Sequence, residues 1–316
     1  MAKALLVAVT GPTTEAWHKR FADYPSGRDL RFWPDRIGRA EEIGYAAAWK
    51  APHGAFAGIP NIKALFNLGA GVDHLIADPQ LPDVPIVRAI HPDLSMRMME
   101  YVVLHVLRHH RRQPVYEAQQ RARVWLGHDQ PAASGVAVGI LGLGVIGREA
   151  AAVLRRIGFQ VAGWSRTPQQ VDGVEVFHGA EGLGPFLART EILVCLLPHT
   201  AATEGILNLG LLRQLKRDGA LGGAYLVNAG RGKLQVDAEI IAALDEGAIS
   251  GATLDVFPTE PLPVDSPLWA HPKITVTPHN AGDLAPSELV KGVFDQIEAV
   301  ERGEPLRHLI DRARGY

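Results

Sequence analysis

The sequence predicts an α/β protein with parallel β-sheets, organised in two domains. Short apolar runs alternate with helical patterns from end to end of the chain, and each run is long enough for one buried strand. This alternation is typical of βαβ units, whose strands pair in parallel. The length of 316 residues agrees with two domains, because a single hydrophobic core stops growing beyond about 250 to 300 residues.

The first third of the chain predicts four strands, with helix-like stretches and turns between them, followed by one long helix. The helix is expected over 93–110, because Asp93 suits an N-cap and the basic run 108–112 suits the negative end of a helix. That basic run is interpreted as a solvated helix end. The strands are expected at 4–9, 46–49, 64–67 and 86–87.

The second part of the chain predicts a longer series of strands and helices. Residues 113–134 are polar and contain Pro114, Gly127 and Pro131, so we expect a helix and an excursion before this series begins. Strands are then predicted at 136–141, 160–164, 192–196, 224–228, 251–254 and 274–276. Helices are predicted at 146–157, 209–217, 237–246 and, after Pro286, 287–302.

Composition and charge argue against several classes of protein. Hydrophobic residues make up 47% of the chain, which is ordinary for a globular protein. The net charge of −2 leaves no general basic field for nucleic acid. No apolar run reaches the roughly 18 residues of a membrane span, and the run at 4–9 is too short for a signal peptide, so we expect a cytoplasmic protein. The single cysteine, Cys195, is expected to be a buried thiol, and no metal site is predicted.

A glycine pattern stands where a dinucleotide-binding loop requires it. The segment Gly142-Leu143-Gly144-Val145-Ile146-Gly147 follows a predicted strand and opens a predicted helix. The first glycine suits a tight turn, the second lets the backbone approach a pyrophosphate, and the third lets helix and strand pack closely. The free N–H groups at the start of the helix attract phosphates. The segment therefore predicts a dinucleotide cofactor.

The end of the next strand indicates which dinucleotide is preferred. NAD sites usually place Asp or Glu about 20 residues after the first glycine, to bind the ribose 2′-hydroxyl. Here Ser165-Arg166-Thr167 occupies that position. A guanidinium binds phosphate with two hydrogen bonds and a hydroxyl can donate another, so these residues suit a 2′-phosphate. We expect NADP(H), with NAD(H) as the alternative; Arg166 could also be a solvated arginine in a turn before Pro168.

Four further segments stand at the ends of predicted strands: Asn67-Leu68-Gly69-Ala70-Gly71-Val72-Asp73, Val227-Asn228-Ala229-Gly230-Arg231-Gly232, Leu254-Asp255-Val256-Phe257-Pro258-Thr259-Glu260-Pro261-Leu262 and Thr277-Pro278-His279-Asn280-Ala281-Gly282. With the glycine loop, they resemble the D-isomer-specific 2-hydroxyacid dehydrogenase family over nearly the whole chain. The glycine-rich segment at 68–73, the Trp-Ser-Arg at 164–166 and the run at 261–269 are most similar to its glyoxylate/hydroxypyruvate reductase A branch. The order of the four segments along the chain is also that of the family.

The resemblance implies a catalytic set of Arg231, Glu260 and His279, acting on a small 2-oxo acid such as glyoxylate or hydroxypyruvate. A guanidinium can bind both the carboxylate and the adjacent ketone of such a substrate. The nicotinamide supplies hydride, and a protonated histidine supplies the proton that the forming alkoxide needs. A carboxylate paired with the imidazole holds its tautomer.

The resemblance also implies two sets of binding residues. For the substrate they are Arg231 and His279 together with Trp49, Leu68, Gly69, Ala70 and Gly71, whose loop would form an anion-binding nest. Trp49 could equally be a core residue, and Asp255 could equally cap a turn. For the cofactor they are Met98, Gly142, Leu143, Gly144, Val145, Ile146, Gly147, Ser165, Arg166, Thr167, Leu197, Pro198, Thr203, Ala229, Gly230, Arg231, Asp255, His279 and Gly282.

The family further implies two doubly wound domains and a homodimer. A flavodoxin-like substrate domain is expected at 1–102, with 286–316 returning to it, and a Rossmann cofactor domain at 103–285. Asn280 and Asp283 depart from the family pattern after the histidine, which leaves the identity of the 2-oxo acid open.

Besides reduction of a small 2-oxo acid, the sequence leaves two alternative functions. One is an NAD(H)-sensing, corepressor-like binding protein, and the intact catalytic set argues against it. The other is an NAD-dependent D-2-hydroxyacid dehydrogenase with a different substrate. Formate dehydrogenases of the superfamily carry Gln where this chain has Glu260, which argues against that activity.

Overall fold

The chain folds into two compact units. The computed structural model describes residues 3–11, 13–69, 71–89, 92–282 and 286–312. The first unit contains Met1–Asp93 and Leu284–Tyr316, and the second contains Leu94–Asp283. These limits lie at 93/94 and 283/284, whereas the sequence placed the domain limits at 102/103 and 285/286. The first difference arises because nearly the whole of one long helix belongs to the second unit.

The elements follow the alternation that the sequence predicts. Along the chain they are β1 Ala4–Val9, α1 Thr14–Asp23, β2 Leu30–Phe32, β3 Ile43–Trp49, β4 Ala64–Asn67, α2 Asp73–Ile76, β5 Ile86–Arg88, α3 Pro92–His110, α4 Gln113–Ala122, β6 Ala137–Leu141, α5 Val145–Ile157, β7 Gln160–Ser165, β8 Glu175–His178, α6 Gly179–Ala188, β9 Ile192–Cys195, α7 Leu209–Leu212, β10 Tyr225–Asn228, α8 Asp237–Asp245, β11 Gly251–Leu254, β12 Ile274–Val276 and α9 Pro286–Glu301.

The first unit is built on a parallel sheet of order β2-β1-β3-β4-β5. This is the flavodoxin-like strand order, in which the chain winds outward from the middle in both directions. Every residue of β1 and of β4 is buried, because helices and loops cover both faces of the sheet. The predicted flavodoxin-like domain is therefore confirmed.

The second unit is built on a parallel sheet of order β12-β11-β10-β9-β6-β7-β8. The strands β8 to β6 and β9 to β11 reproduce the Rossmann order, and β12 adds a seventh strand at the edge. The order reverses between β6 and β9, and in such sheets ligands bind where the order reverses, beyond the carboxyl ends of the strands. The fold thus confirms the predicted Rossmann domain and directs attention to the loops that follow its strands.

Several elements were missed by the sequence prediction because their sequence patterns are weak. The strands β2 and β8 are edge strands that contain no fully buried residue, so their periodicity is weak. The helix α6 was also missed, because three glycines and Pro185 interrupt its sequence, whereas α1 lies in the helix-like stretch predicted after the first strand. The predicted helix at 209–217 is shorter in the structure, where α7 ends at Leu212.

The predicted solvated end of α3 is wrong for its histidines. His105, His109 and His110 are all buried. His109 Nε2 lies 3.0 Å from the Thr253 hydroxyl on β11. The helix therefore packs on the second sheet through imidazole rings that a charge pattern alone would assign to solvent.

Among the described residues, no helix is both long enough and apolar enough to cross a bilayer.

The buried histidines make stability depend on pH. Burial lowers the pKa of His109 to about 3, with His105 and Arg108 adding to the effect. Because the ordinary value is 6.5, the unfolded chain takes up a proton below that pH while the folded chain does not, so stability falls as the pH drops below 6.5. Between pH 7.5 and 5.5 we expect His109 to account for a loss of about 1 kcal/mol in the free energy of unfolding.

Urea unfolding at the two pH values checks this expectation. The variant His109→Gln should lose about 1 kcal/mol less than the wild type between pH 7.5 and 5.5. The exposed His53 supplies a control, since His53→Gln should keep the wild-type dependence. Equal losses in the wild type and His109→Gln would show that His109 does not resist protonation in the folded state.

Candidate functional site

The glycine loop joins β6 to α5. Gly142 has a φ of +113°, which few residues other than glycine adopt. A Cβ on Gly147 would lie 2.0 Å from the Gly142 carbonyl oxygen, so helix and loop can approach only with glycine there. Gly144 is different: it is exposed, and a Cβ there would meet none of the described atoms within 4 Å. Two glycines are thus required by the fold, while Gly144 leaves space for a ligand, as a dinucleotide loop needs.

The side chains between the glycines point to different surroundings. Leu143 is buried and packs against Gly163, so only its backbone is available to a ligand. Val145 is exposed and Ile146 is half-buried at the start of α5. The backbone N–H groups of this first helical turn carry the positive end of the helix dipole.

The end of β7 lies beside the glycine loop, because β6 and β7 are paired along their lengths. Ser165 is buried, and its hydroxyl donates a hydrogen bond of 2.8 Å to the Thr167 carbonyl. Arg166 and Thr167 are exposed. The serine therefore closes the turn with its hydroxyl, and the guanidinium of Arg166 is the exposed cation of this loop.

The loops after β9 and β10 pack against each other. A Cβ on Gly230 would lie 2.8 Å from the Leu197 carbonyl oxygen, so these two backbones are in close contact. The Thr203 hydroxyl donates to the Pro198 carbonyl at 2.8 Å and shapes the loop after β9. Ala229 is buried directly after β10. These predicted cofactor positions therefore lie together at the carboxyl ends of neighbouring strands.

The turn that carries Arg231 is held by two buried amide side chains, Asn228 and Gln235, which the sequence did not predict as site residues. The Asn228 side chain donates to Gln235 Oε1 at 2.8 Å and accepts from the Gly230 N–H at 3.1 Å. Both amide residues are buried. The half-buried Arg231 donates from Nη1 to the Gly230 carbonyl at 2.6 Å. In the sequence, the indication of this contact was Asn228, a polar residue at the end of an apolar strand.

Glu260 and His279 form a direct pair. Glu260 Oε2 lies 2.8 Å from His279 Nδ1, and Oε1 lies 3.0 Å from it. Glu260 Oε1 also accepts from the Phe257 N–H at 3.2 Å, which fixes the carboxylate. A carboxylate next to Nδ1 favours the tautomer with a proton on Nδ1, so Nε2 is the nitrogen left for proton exchange.

A buried carboxylate lies behind His279. Asp255 accepts a hydrogen bond of 2.6 Å from the Thr277 hydroxyl and bonds of 3.0 Å from the N–H groups of Asn280 and Ala281. The Tyr101 hydroxyl on α3 lies 2.7 Å from the Thr277 hydroxyl. Asp255 therefore ties together both sides of His279, which has a left-handed φ of +56°. The sequence predicted Asp255 but not Thr277 or Tyr101.

Met98 and Gly282 are also in contact. A Cβ on Gly282 would lie 3.0 Å from Met98 Sδ. Met98 is buried and Gly282 is half-buried. The two predicted positions, far apart in the chain, thus meet where α3 faces the loop after β12.

The predicted substrate residues of the first unit lie in and beside one loop. The Asn67 amide donates to the carbonyls of Gly69 at 2.6 Å and Gly71 at 2.8 Å. A Cβ on Gly69 would lie 2.2 Å from the Trp49 ring, so the tryptophan packs on this loop. Leu68 is buried below it. Asn67 belongs to the segment singled out in the sequence, although no role was predicted for it there, and Ala70 and Asp283 lie outside the described residues.

Comparison with known proteins identifies the family. The family model described as "D-isomer specific 2-hydroxyacid dehydrogenase, NAD binding domain" matches residues 103–281. A glyoxylate/hydroxypyruvate reductase A from Yersinia enterocolitica is 40% identical over 294 residues, which make up 91% of this chain and 92% of the relative. The chain belongs to the D-isomer-specific 2-hydroxyacid dehydrogenase family.

Two solved structures extend this likeness to the whole fold. One is an NADPH-dependent glyoxylate/hydroxypyruvate reductase from Sinorhizobium meliloti in complex with NADP and sulfate, with 41% identity, a TM-score of 0.93 and coverage of 99% of this chain and 100% of that chain. The other is a probable 2-hydroxyacid dehydrogenase from Rhizobium etli in complex with NADP, HEPES and L(+)-tartaric acid, with 42% identity and the same TM-score and coverage. The predicted family and its reductase A branch are confirmed.

Gly147 and Gly144 have different surroundings, so the same substitution should change the stability of the protein differently at the two positions. Gly147→Ala should lower the melting temperature by several degrees, because the added Cβ collides with the Gly142 carbonyl. Gly144→Ala should leave the melting temperature within about 2 °C of the wild type, because the space around it is open. Differential scanning calorimetry of the ligand-free variants checks this, and equal destabilisation by both changes would contradict it.

Proposed function

We propose that the protein reduces a small 2-oxo acid, glyoxylate or hydroxypyruvate, to the 2-hydroxy acid with NADPH. The observation that carries the proposal is the hydrogen bond between Glu260 and His279 Nδ1, on the loops that follow β11 and β12 of the Rossmann sheet. The relatives named as reductases of these two acids, and the NADP in both solved structures, support the substrate class and the cofactor.

His279 is the proposed proton donor. Its Nδ1 is engaged by Glu260, so Nε2 carries the proton that is transferred. Because Glu260 accepts this bond throughout, the imidazole keeps one orientation as its charge changes. In the oxidative direction the neutral ring takes the proton back at the same nitrogen.

Arg231 is the proposed substrate-orienting residue. A guanidinium offers five N–H donors in one plane, and the Gly230 carbonyl takes one of them in this structure. The substrate carboxylate and ketone lie in one plane as well, so a planar guanidinium can bind both. The positive charge also stabilises the alkoxide that forms from the ketone.

NADPH is assigned to the second unit, and when bound it supplies the hydride. The backbone around Gly144 and the start of α5 would hold its pyrophosphate, and the exposed Arg166 its 2′-phosphate. The loops at Leu197–Pro198 and Ala229–Gly230, with Thr203, Asp255, Met98 and Gly282, would form the wall around the rest of the cofactor. Ser165 would contribute its backbone, because its hydroxyl already closes the turn.

The first unit is assigned to the substrate. Asn67 engages the carbonyls of Gly69 and Gly71, and N–H groups of this loop would bind an anion, here the substrate carboxylate. Trp49, packed on Gly69, would limit the size of the group that the substrate carries. We assign the first unit, predicted from the sequence at 1–102 with 286–316, as the substrate domain, and the second unit, predicted at 103–285, as the cofactor domain.

We also propose a cytoplasmic homodimer. Support comes from α4 and the residues after it, where Val115, Val124, Trp125 and Leu126 are exposed in the single chain. Such a run of exposed apolar side chains is typical of an interface. A monomer mass in light scattering would contradict the dimer, and recovery of the protein outside the cytoplasmic fraction of its cells would contradict the location.

Steady-state assays test the function. The purified protein should oxidise NADPH with glyoxylate or hydroxypyruvate, and His279→Asn should lower kcat by about 10²- to 10⁴-fold, the usual contribution of a general acid. Arg231→Ala should lower kcat/KM by more than about a hundredfold, because charge-assisted bonds to the substrate are lost.

His271 provides a matched control for His279. It also lies next to a carboxylate, with Nε2 3.4 Å from Asp245, but at the opposite end of β12. His271→Asn should keep kcat within about twofold of the wild type. Absence of turnover with both acids, or full activity in His279→Asn, would refute the proposed function.

A further inference from the structure

Arg148 lies on α5, directly after the glycine loop, and has no role in the catalytic and binding assignments of the proposed function. Its Nε donates to the Leu143 carbonyl at 3.1 Å, and its Nη2 donates to Gln169 Oε1 at 2.6 Å. Leu143 belongs to the glycine loop, while Gln169 follows the turn of Ser165 and Arg166. The exposed guanidinium of Arg148 therefore bridges the two loops that follow β6 and β7.

The charge of Arg148 is unfavourable where it stands. It is the fourth residue of α5, close to the positive end of the helix dipole, and the first turn of this helix contains no acidic residue. A cation at this end of a helix costs free energy in the absence of an anion. Its position thus points to an anionic ligand that neutralises both the side chain and the helix end.

The donors of Arg148 are suited to such a ligand. A guanidinium has five N–H groups, and the two bonds to Leu143 and Gln169 use two of them within the described part of the chain. Those two bonds fix the plane of the group, so the remaining donors are oriented before a ligand binds. The neighbouring turn adds the exposed Arg166, while the Ser165 hydroxyl is engaged by Thr167.

We propose that Arg148 binds the 2′-phosphate of NADPH together with Arg166, and that Gln169 positions its guanidinium. This inference rests on the proposed function and adds a specificity-determining residue to it. In an NAD-type site the corresponding place is taken by a carboxylate at the strand end. Here the selectivity for the phosphorylated cofactor would come from two arginines on two different loops.

Direct binding measurements on the full chain test the inference. Calorimetric titration with adenosine 2′,5′-bisphosphate and adenosine 5′-monophosphate, which differ by the 2′-phosphate, gives the preference without any turnover. Arg148→Ala should weaken binding of the bisphosphate about ten- to a hundredfold and leave the monophosphate within about twofold, as expected for loss of charge-assisted hydrogen bonds. Fluorescence titration with NADPH and NADH should show the same difference.

Two further variants sharpen the test. Arg156→Ala removes the same charge from an exposed position near the other end of α5 and should bind both nucleotides like the wild type. Gln169→Ala keeps the charge of Arg148 but releases its guanidinium, so it should weaken the bisphosphate by a smaller factor, about two- to fivefold.

The outcomes separate this inference from the proposed function. Equal weakening of both nucleotides in Arg148→Ala, or an unchanged preference for the bisphosphate, would overturn the inference while leaving the NADPH assignment intact. A wild type that binds both nucleotides equally would overturn the NADPH assignment and this inference with it.

Discussion

The buried carboxylate of Asp255 is the interaction on which the candidate catalytic loop depends. It accepts three hydrogen bonds, one from the Thr277 hydroxyl before His279 and two from backbone N–H groups after it. A buried carboxylate is costly unless its lone pairs are satisfied, and here the loop itself satisfies them. The left-handed backbone of His279 is thereby held without a glycine, and its Nδ1 is kept at Glu260.

Buried polar side chains stabilise two further loops in a similar way, one in each sheet. Asn228 with Gln235 holds the turn before Arg231, and Asn67 holds the carbonyls of the loop at 68–71. In each case a buried polar side chain at a strand end satisfies backbone groups that leave the sheet. Parallel sheets require this, because the backbone groups at strand ends lose their ladder partners while still buried.

The charged side chains around the candidate cofactor site differ between its two ends. The helix start after Gly144 presents N–H groups, and Arg148 and Arg166 add two cations on the side of β7. On the side of β11 and β12, Glu260 is paired with His279, and Asp255 is paired with the Thr277 hydroxyl and with backbone N–H groups. A cofactor with phosphates at one end and a neutral reactive ring at the other matches this division.

Sequence alone determined the class of fold and the family, and it predicted the residues of the candidate site. Buried parallel strands produce continuous apolar runs, and glycines that a turn or close contact demands, such as Gly142 and Gly147, are visible as a pattern. Features that depend on contacts between residues distant in the chain were decided only by the tertiary structure. It buried His105, His109 and His110, left β2 and β8 as weakly patterned edges, and assembled Tyr101, Thr277 and Asp255 behind His279. Burial and hydrogen bonding of a polar side chain are set by what packs against it, and local sequence does not contain that information.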